Sequence, residues 1–366
     1  MKLILYKYNS IFYRGRSTFV GRFNRDFCPL LPLLFSITCL PALFFACTPV
    51  APVPRQETVT TDIHISFNAG KSTSLSRDIG IDGIQVMVYN DDAFSNLDSR
   101  LFFTPGEEFD GNLCVSSGSG NKTFVVACNL QEDFPRWENL LSLNGLGKVR
   151  TKLEDESLAT PVLTGYARAE AGKESRIEVK PLTARIRLNR ICCDFRGTAY
   201  AFEQIHGLRV YLTNVNADSP LLPDGPDNGG KRFINNGALN PLDLAAFRDR
   251  SILCREAGID VGMDMVETDM EFLCYSNPNT EEAFGCPLTR LVVEGSILGK
   301  TWYWPIDLCK MVDGGIKPGE NYDISLTILR TGTEDPDLPV RLTESEIEME
   351  ITQWNEKENY PVFFRN

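Results

Sequence analysis

Histidine is almost missing from this sequence: 366 residues hold only His64 and His206. General acid–base catalysis and His-rich metal centres at neutral pH rely on that side chain first, so both chemistries lose their usual carrier. No CxxC pair occurs, which removes the spacing of structural zinc sites. Also absent are a G-x-S-x-G elbow, an H-E-x-x-H helix, a glycine-rich phosphate loop and an EF-hand loop. Basic stripes with interleaved aromatics are lacking too, and the net charge is −12. A surface of that sign repels nucleic acid.

What remains for catalysis or metal binding is thin. Asp224, Asp227 and Asn228 sit in a Gly/Pro-rich loop that could hold Ca²⁺, but no bidentate Glu completes such a site and a turn is the stronger reading. Asp264, Glu267, Asp269 and Glu271 could supply an acid and base pair; a solvated acidic face is the usual meaning of such a run. Cys192 and Cys193 are adjacent at an expected strand end, which points one inward and the other outward. The expectation is therefore a protein with no catalytic residues, no metal site and no cofactor.

What is present begins with a leader. Lys2, Lys7, Arg14, Arg16, Arg22 and Arg25 precede an apolar run from Phe27 to Cys47, the order of an export signal. Ala46-Cys47 resembles a bacterial lipobox, in which Cys47 is acylated and becomes the first residue. An uncleaved transmembrane anchor is the other reading, and both put the rest of the chain outside the cytoplasm. The leader holds six basic residues and one acidic, so the chain beyond it is more acidic than the whole. Eight cysteines follow Cys47. Cys114 and Cys128 flank a Ser/Gly-rich turn and are expected as cross-strand neighbours, either bridged or as buried thiols.

Apolar residues make up 43% and charged residues 23%, which predicts a folded chain with room for two domains. Thr48 to Thr58 is a Pro-rich tether. After it, Val59, Thr61, Ile63, Ile65 and Phe67 alternate with polar residues, the signature of a strand with one buried face. Further strands are predicted at 84–89, 113–116, 123–127, 162–167, 175–179, 184–188, 208–215, 289–294, 301–306, 322–329 and 346–353. Ser117 to Asn121 reads as a hairpin turn between two of them. Short helices are expected from Pro135 and from Pro241, the second capped by Asn240. No βαβ alternation appears. The prediction is all-β: antiparallel sandwiches, with segments 1–47 (leader), 48–58 (tether), 59–180 and 181–366 (two domains).

Several segments in this order resemble the fimbrillin family, the pilins of Bacteroidales. They are Cys47 with its Pro-rich tail, Arg77 ahead of Ile84 to Asn90, the strand Thr123 to Asn129, Leu182 to Leu188, and Tyr211 to Val215. Tyr275 with Asn277-Pro278 follows, then Tyr303 to Ile306, Asn321 to Ile324, Gly332 to Pro339, and Trp354. The resemblance implies two tandem transthyretin-like sandwiches and a precursor held in the outer membrane by lipid on Cys47. It implies a cut by an Arg-directed protease between Arg77 and Asp78, which releases the strand carrying Val59, Ile63, Ile65 and Phe67. The vacated groove would take the C-terminal segment of another subunit, here anchored by Tyr360, Val362 and Phe364. Implied partners are other pilin subunits, the protease and a host or bacterial surface receptor. An uncleaved anchor or tip-proximal pilin is the alternative within the family. A monomeric glycan-binding lipoprotein is the alternative from another class.

Overall fold

The computed structural model describes residues 57–67, 79–106, 109–222, 232–340 and 346–353. In the first half, alternating apolar residues form β1 (Thr58–Phe67), β2 (Ile84–Asn90), β3 (Leu97–Phe103), β4 (Asn112–Gly118) and β5 (Asn121–Cys128). A two-turn excursion, α1 (Trp137–Leu140) and α2 (Leu143–Leu146), leads to β6 (Arg150–Lys152), β7 (Leu163–Glu170) and β8 (Ser175–Pro181). Only Leu182 separates β8 from β9 (Thr183–Cys193).

The second half continues with β10 (His206–Thr213), β11 (Val215–Asn216), β12 (Asp218–Pro220) and β13 (Phe233–Ile234). Next come α3 (Pro241–Leu244), β14 (Cys254–Glu256), β15 (Val266–Tyr275), β16 (Arg290–Ile297) and β17 (Lys300–Asp307). The chain closes on β18 (Glu320–Ile328) and β19 (Ile347–Gln353). Asn240 caps α3 as expected, its side chain accepting from Leu242 N at 3.0 Å.

The two halves repeat one strand plan. The first orders its strands β3-β2-β5-β7-β8-β1-β4, and the second forms β14-β10-β16-β17 and β15-β9-β18-β19. Thus β1 corresponds to β9, β4 to β15 and β8 to β18. In each half the opening strand lies between an antiparallel neighbour (β4 or β15) and a parallel one (β8 or β18). These two parallel ladders are the departure from an otherwise antiparallel arrangement. They arise because the opening strand of each half pairs with a strand near the other end of the local sequence, β8 in the first half and β18 in the second.

Local turn chemistry misleads at Ser117 to Asn121. β4 and β5 do not pair; β4 pairs with β1, while β5 pairs with β2 and β7. Cys114 is exposed and Cys128 buried, and all eight described cysteines are free. Cys192 and Cys193 are both buried, because both faces of β9 are covered at this end of the strand. Trp304 is a core residue, whereas Trp137 is half exposed.

Candidate functional site

The strand singled out by its alternation, β1, is held on both sides. Its ladder to β4 runs from Thr58 opposite Gly118 to His64 opposite Asn112. The ladder to β8 runs from Ile63 beside Ser175 to Phe67 beside Val179. Ile63 and Ile65 point inward at 1% and 2% exposure, between Leu113 and Val115 of β4 and Ile177 and Val179 of β8, all buried. Side chains this large contribute roughly 1.5–3 kcal/mol each when buried. Val59 is half buried at the far end.

Local fits fix the register. Thr61 Oγ1 accepts from Gly172 N at 2.9 Å, and Ile65 N donates to Gly111 O at 2.8 Å. Gly111 has φ +87, and a Cβ there would stand 2.7 Å from Ile65 O; only glycine lets the loop come this close. On the outer face the Cys114 thiol donates to Asp62 Oδ1 at 2.9 Å, and His64 Nδ1 lies 2.8 Å from Asn112 Oδ1. Lifting β1 out would leave two unpaired strand edges with an apolar trough between them, the condition for adding a strand from another chain.

β19 is the contrasting strand. It has one ladder, to β18, with Met349 buried and Ile347 and Ile351 half buried. Its start is pinned by Glu346, whose carboxylate accepts from Arg330 at 3.0 Å and whose carbonyl accepts from Thr327 N at 2.7 Å. An edge strand with one ladder is released more easily than an inner one. Cys47, Arg77, Asp78, Tyr360, Val362 and Phe364 lie outside the described residues, as do the side chain of Phe67 and the loop with Asp224, Asp227 and Asn228.

The acidic run is solvated as expected at Asp264, Glu267 and Asp269, which are exposed, while Glu271 is drawn into a paired strand. Glu267 and Glu271 of β15 stand opposite Arg190 and Arg187 of β9. Glu271 Oε1 is 2.9 Å from Arg187 Nε and 3.9 Å from Arg185. Arg185, Arg187 and Glu271 line an open cleft with Leu158 and Ala159. Asp269 takes φ 45 at the bulge between Glu267 and Met270. Glu271 thus answers two guanidinium groups, and Asp264, Glu267 and Asp269 face solvent. His206 lies at the surface, 3.0 Å from Asp260. Among the described residues no group of three or more His, Cys, Asp or Glu could hold a metal ion, and no helix is long and apolar enough to cross a membrane.

A group the sequence did not signal lies where the two halves meet. β6 pairs with β12 there, and Glu156, just beyond β6, is buried. Its Oε2 accepts from Val162 N at 3.0 Å and its Oε1 from the Tyr275 hydroxyl at 2.9 Å; that hydroxyl is also 2.9 Å from Thr151 Oγ1. Burial pushes the carboxyl up to about 7, against the pull of both hydrogen bonds. The folded protein therefore keeps a proton that the unfolded chain has shed above its ordinary value of 4.5. Folding stability is expected to fall by up to about 3 kcal/mol as pH rises from that value to neutrality, and to level off above it. Glu156→Gln should flatten this stretch of a denaturation-versus-pH curve; an unchanged slope would refute the assignment.

Solved structures share the fold over about four fifths of the chain. The fold is a β-sandwich fold shared with fimbrial and cell adhesion proteins of Bacteroidales. A candidate cell adhesion protein of Bacteroides eggerthii superimposes with a TM-score of 0.61 at 15% identity, over 81% of this chain and 96% of that one. A fimbrilin of Porphyromonas gingivalis gives 0.59 at 15%, over 82% and 99%. A candidate cell adhesion protein of Parabacteroides distasonis gives 0.55 at 13%, over 83% and 99%. No family model and no curated protein matches the sequence.

Proposed function

We propose that this chain is a structural, non-catalytic subunit of a cell-surface pilus, a member of the fimbrillin family built of domains 59–180 and 181–366. It is exported as an outer-membrane lipoprotein acylated on Cys47, cut between Arg77 and Asp78, and polymerised when a C-terminal segment of one copy fills the groove vacated by β1 of the next. The observation that carries the reading is the seat of β1: an N-terminal strand with two ladders and buried Ile63 and Ile65, whose loss leaves a shaped trough. The donor would begin at β19 and run through Tyr360, Val362 and Phe364, the alternation on the far side of the last described strand. The likeness to fimbrilins supports association with other pilin subunits in a fibre at the cell surface.

Arg77→Ala should leave a lipidated precursor that retains β1 and forms no polymer. Fibre-borne protein from the unaltered gene should begin at Asp78. Fibres whose subunits still begin near Cys47, or normal fibres from the Arg77→Ala chain, would sink the cleavage step.

A further inference from the structure

Lysine is rarely buried unless paired, yet the Lys122 side chain is 1% exposed. It sits on β5 directly opposite Asn90 of β2. Its Nζ is 2.5 Å from Asn90 Oδ1 and 3.1 Å from Asp98 Oδ2. On this face of the sheet the next cross-strand pair is Val88 and Phe124, both fully buried, so the floor beneath the amine is dry. Asp98 reaches the site through a bulge: β3 pairs Leu97 with Tyr89 and Ser99 with Val88, leaving Asp98 as the extra residue. Bulges re-aim a side chain in this way. Gly118 N donates to the same Asp98 oxygen at 2.6 Å and holds the carboxylate in place.

An amine, a primary amide and a carboxylate are thus brought together in a water-poor site. We infer that Lys122 and Asn90 become joined by an internal amide crosslink that the folded chain makes for itself, with Asp98 carrying the proton. Asp98 takes a proton from the ammonium group and leaves a neutral amine. The amine lone pair attacks Asn90 Cγ to form the new N–C bond. Collapse of the tetrahedral adduct breaks the Cγ–Nδ2 bond as Asp98 returns its proton to the leaving nitrogen, and the amine nitrogen gives up its surplus proton. A secondary amide remains and ammonia departs as ammonium. Nothing is oxidised or reduced, and no further reactant enters. Holding the reacting groups in contact supplies the rate that free amines and amides lack.

The crosslink would tie two inner strands at the end of the sheet where β1 begins, since Gly118 also pairs with Thr58. It does not depend on the strand-exchange reading. Intact-mass spectrometry of the purified protein is expected to find it lighter by one ammonia, and a protease digest to yield a branched peptide joining Asn90 to Lys122. Lys122→Met and Asp98→Asn should each restore the full mass, while Asn90→Asp should lose water in place of ammonia. A protein of full sequence mass, with Lys122 open to trypsin, would show a static ion pair only and overturn the proposal. So would a mass deficit that survives Lys122→Met.

Discussion

Replacing Ile63 and Ile65 together by alanine is expected to cost the unprocessed protein most of the stability of its first half. Each change removes an inward side chain of at most 2% exposure, and burial losses of this kind run to about 2–5 kcal/mol apiece. Domains hold only about 5–15 kcal/mol in total, so the pair should unfold the β1 seat or leave it barely folded at room temperature. The two positions share neighbours, so their effects need not add. The same substitutions should leave an assembled fibre unaffected, because β1 is absent from it under the proposed maturation. Denaturant melts of the precursor and of depolymerised fibre protein would separate the cases. A loss below about 1 kcal/mol in the precursor would contradict the description of β1 as a core strand.

Arg290→Met is expected to be the next most damaging change. This arginine is 1% exposed and gathers three carboxylates. Its Nε donates to Asp307 at 2.7 Å, one terminal nitrogen donates to Glu282 at 2.9 Å, and the other pairs with Asp337. The contacts bind the segment after β15 and the segment after β18 to the start of β16. Removing one side of a buried ion network costs about 3–5 kcal/mol, because the stranded charges stay desolvated. The lower figure applies to Glu282 and Asp337, which are about half exposed and can turn to water, and the full cost falls on Asp307. Adding Asp307→Asn to Arg290→Met should recover part of the loss in a urea melt. A single variant as stable as the parent would show that the network contributes nothing net.

The period-2 pattern makes most strands legible in the sequence, β1 and β19 among them. It failed where a strand's meaning is non-local. β15 reads as an acid-rich run because the partners of Glu271, Arg185 and Arg187, are far away in sequence and adjacent only across the ladder. β3 was hidden by the bulge at Asp98, which breaks the alternation, and by an exposure that is intermediate at every position. Ser117 to Asn121 has the composition of a hairpin turn, but composition fixes only the reversal and not the partner. Glu156 gave no signal at all: one acid among many, its site is made by Tyr275 of β15 and by the backbone of Val162 just before β7.

The single residue between β8 and β9 has a mechanical consequence. Leu182 is buried, and its N–H donates to Val162 O at 3.0 Å, so the two strands act as one continuous cable through both halves. A pull along that cable loads the ladders on either side lengthwise, among them the parallel pairs β1 with β8 and β9 with β18. Lengthwise load makes a ladder yield by shear, with its hydrogen bonds sharing the force, where a crosswise load would peel them one at a time. If another subunit's strand takes the place of β1, the joint between subunits inherits the same shear geometry as the permanent joint inside the second half.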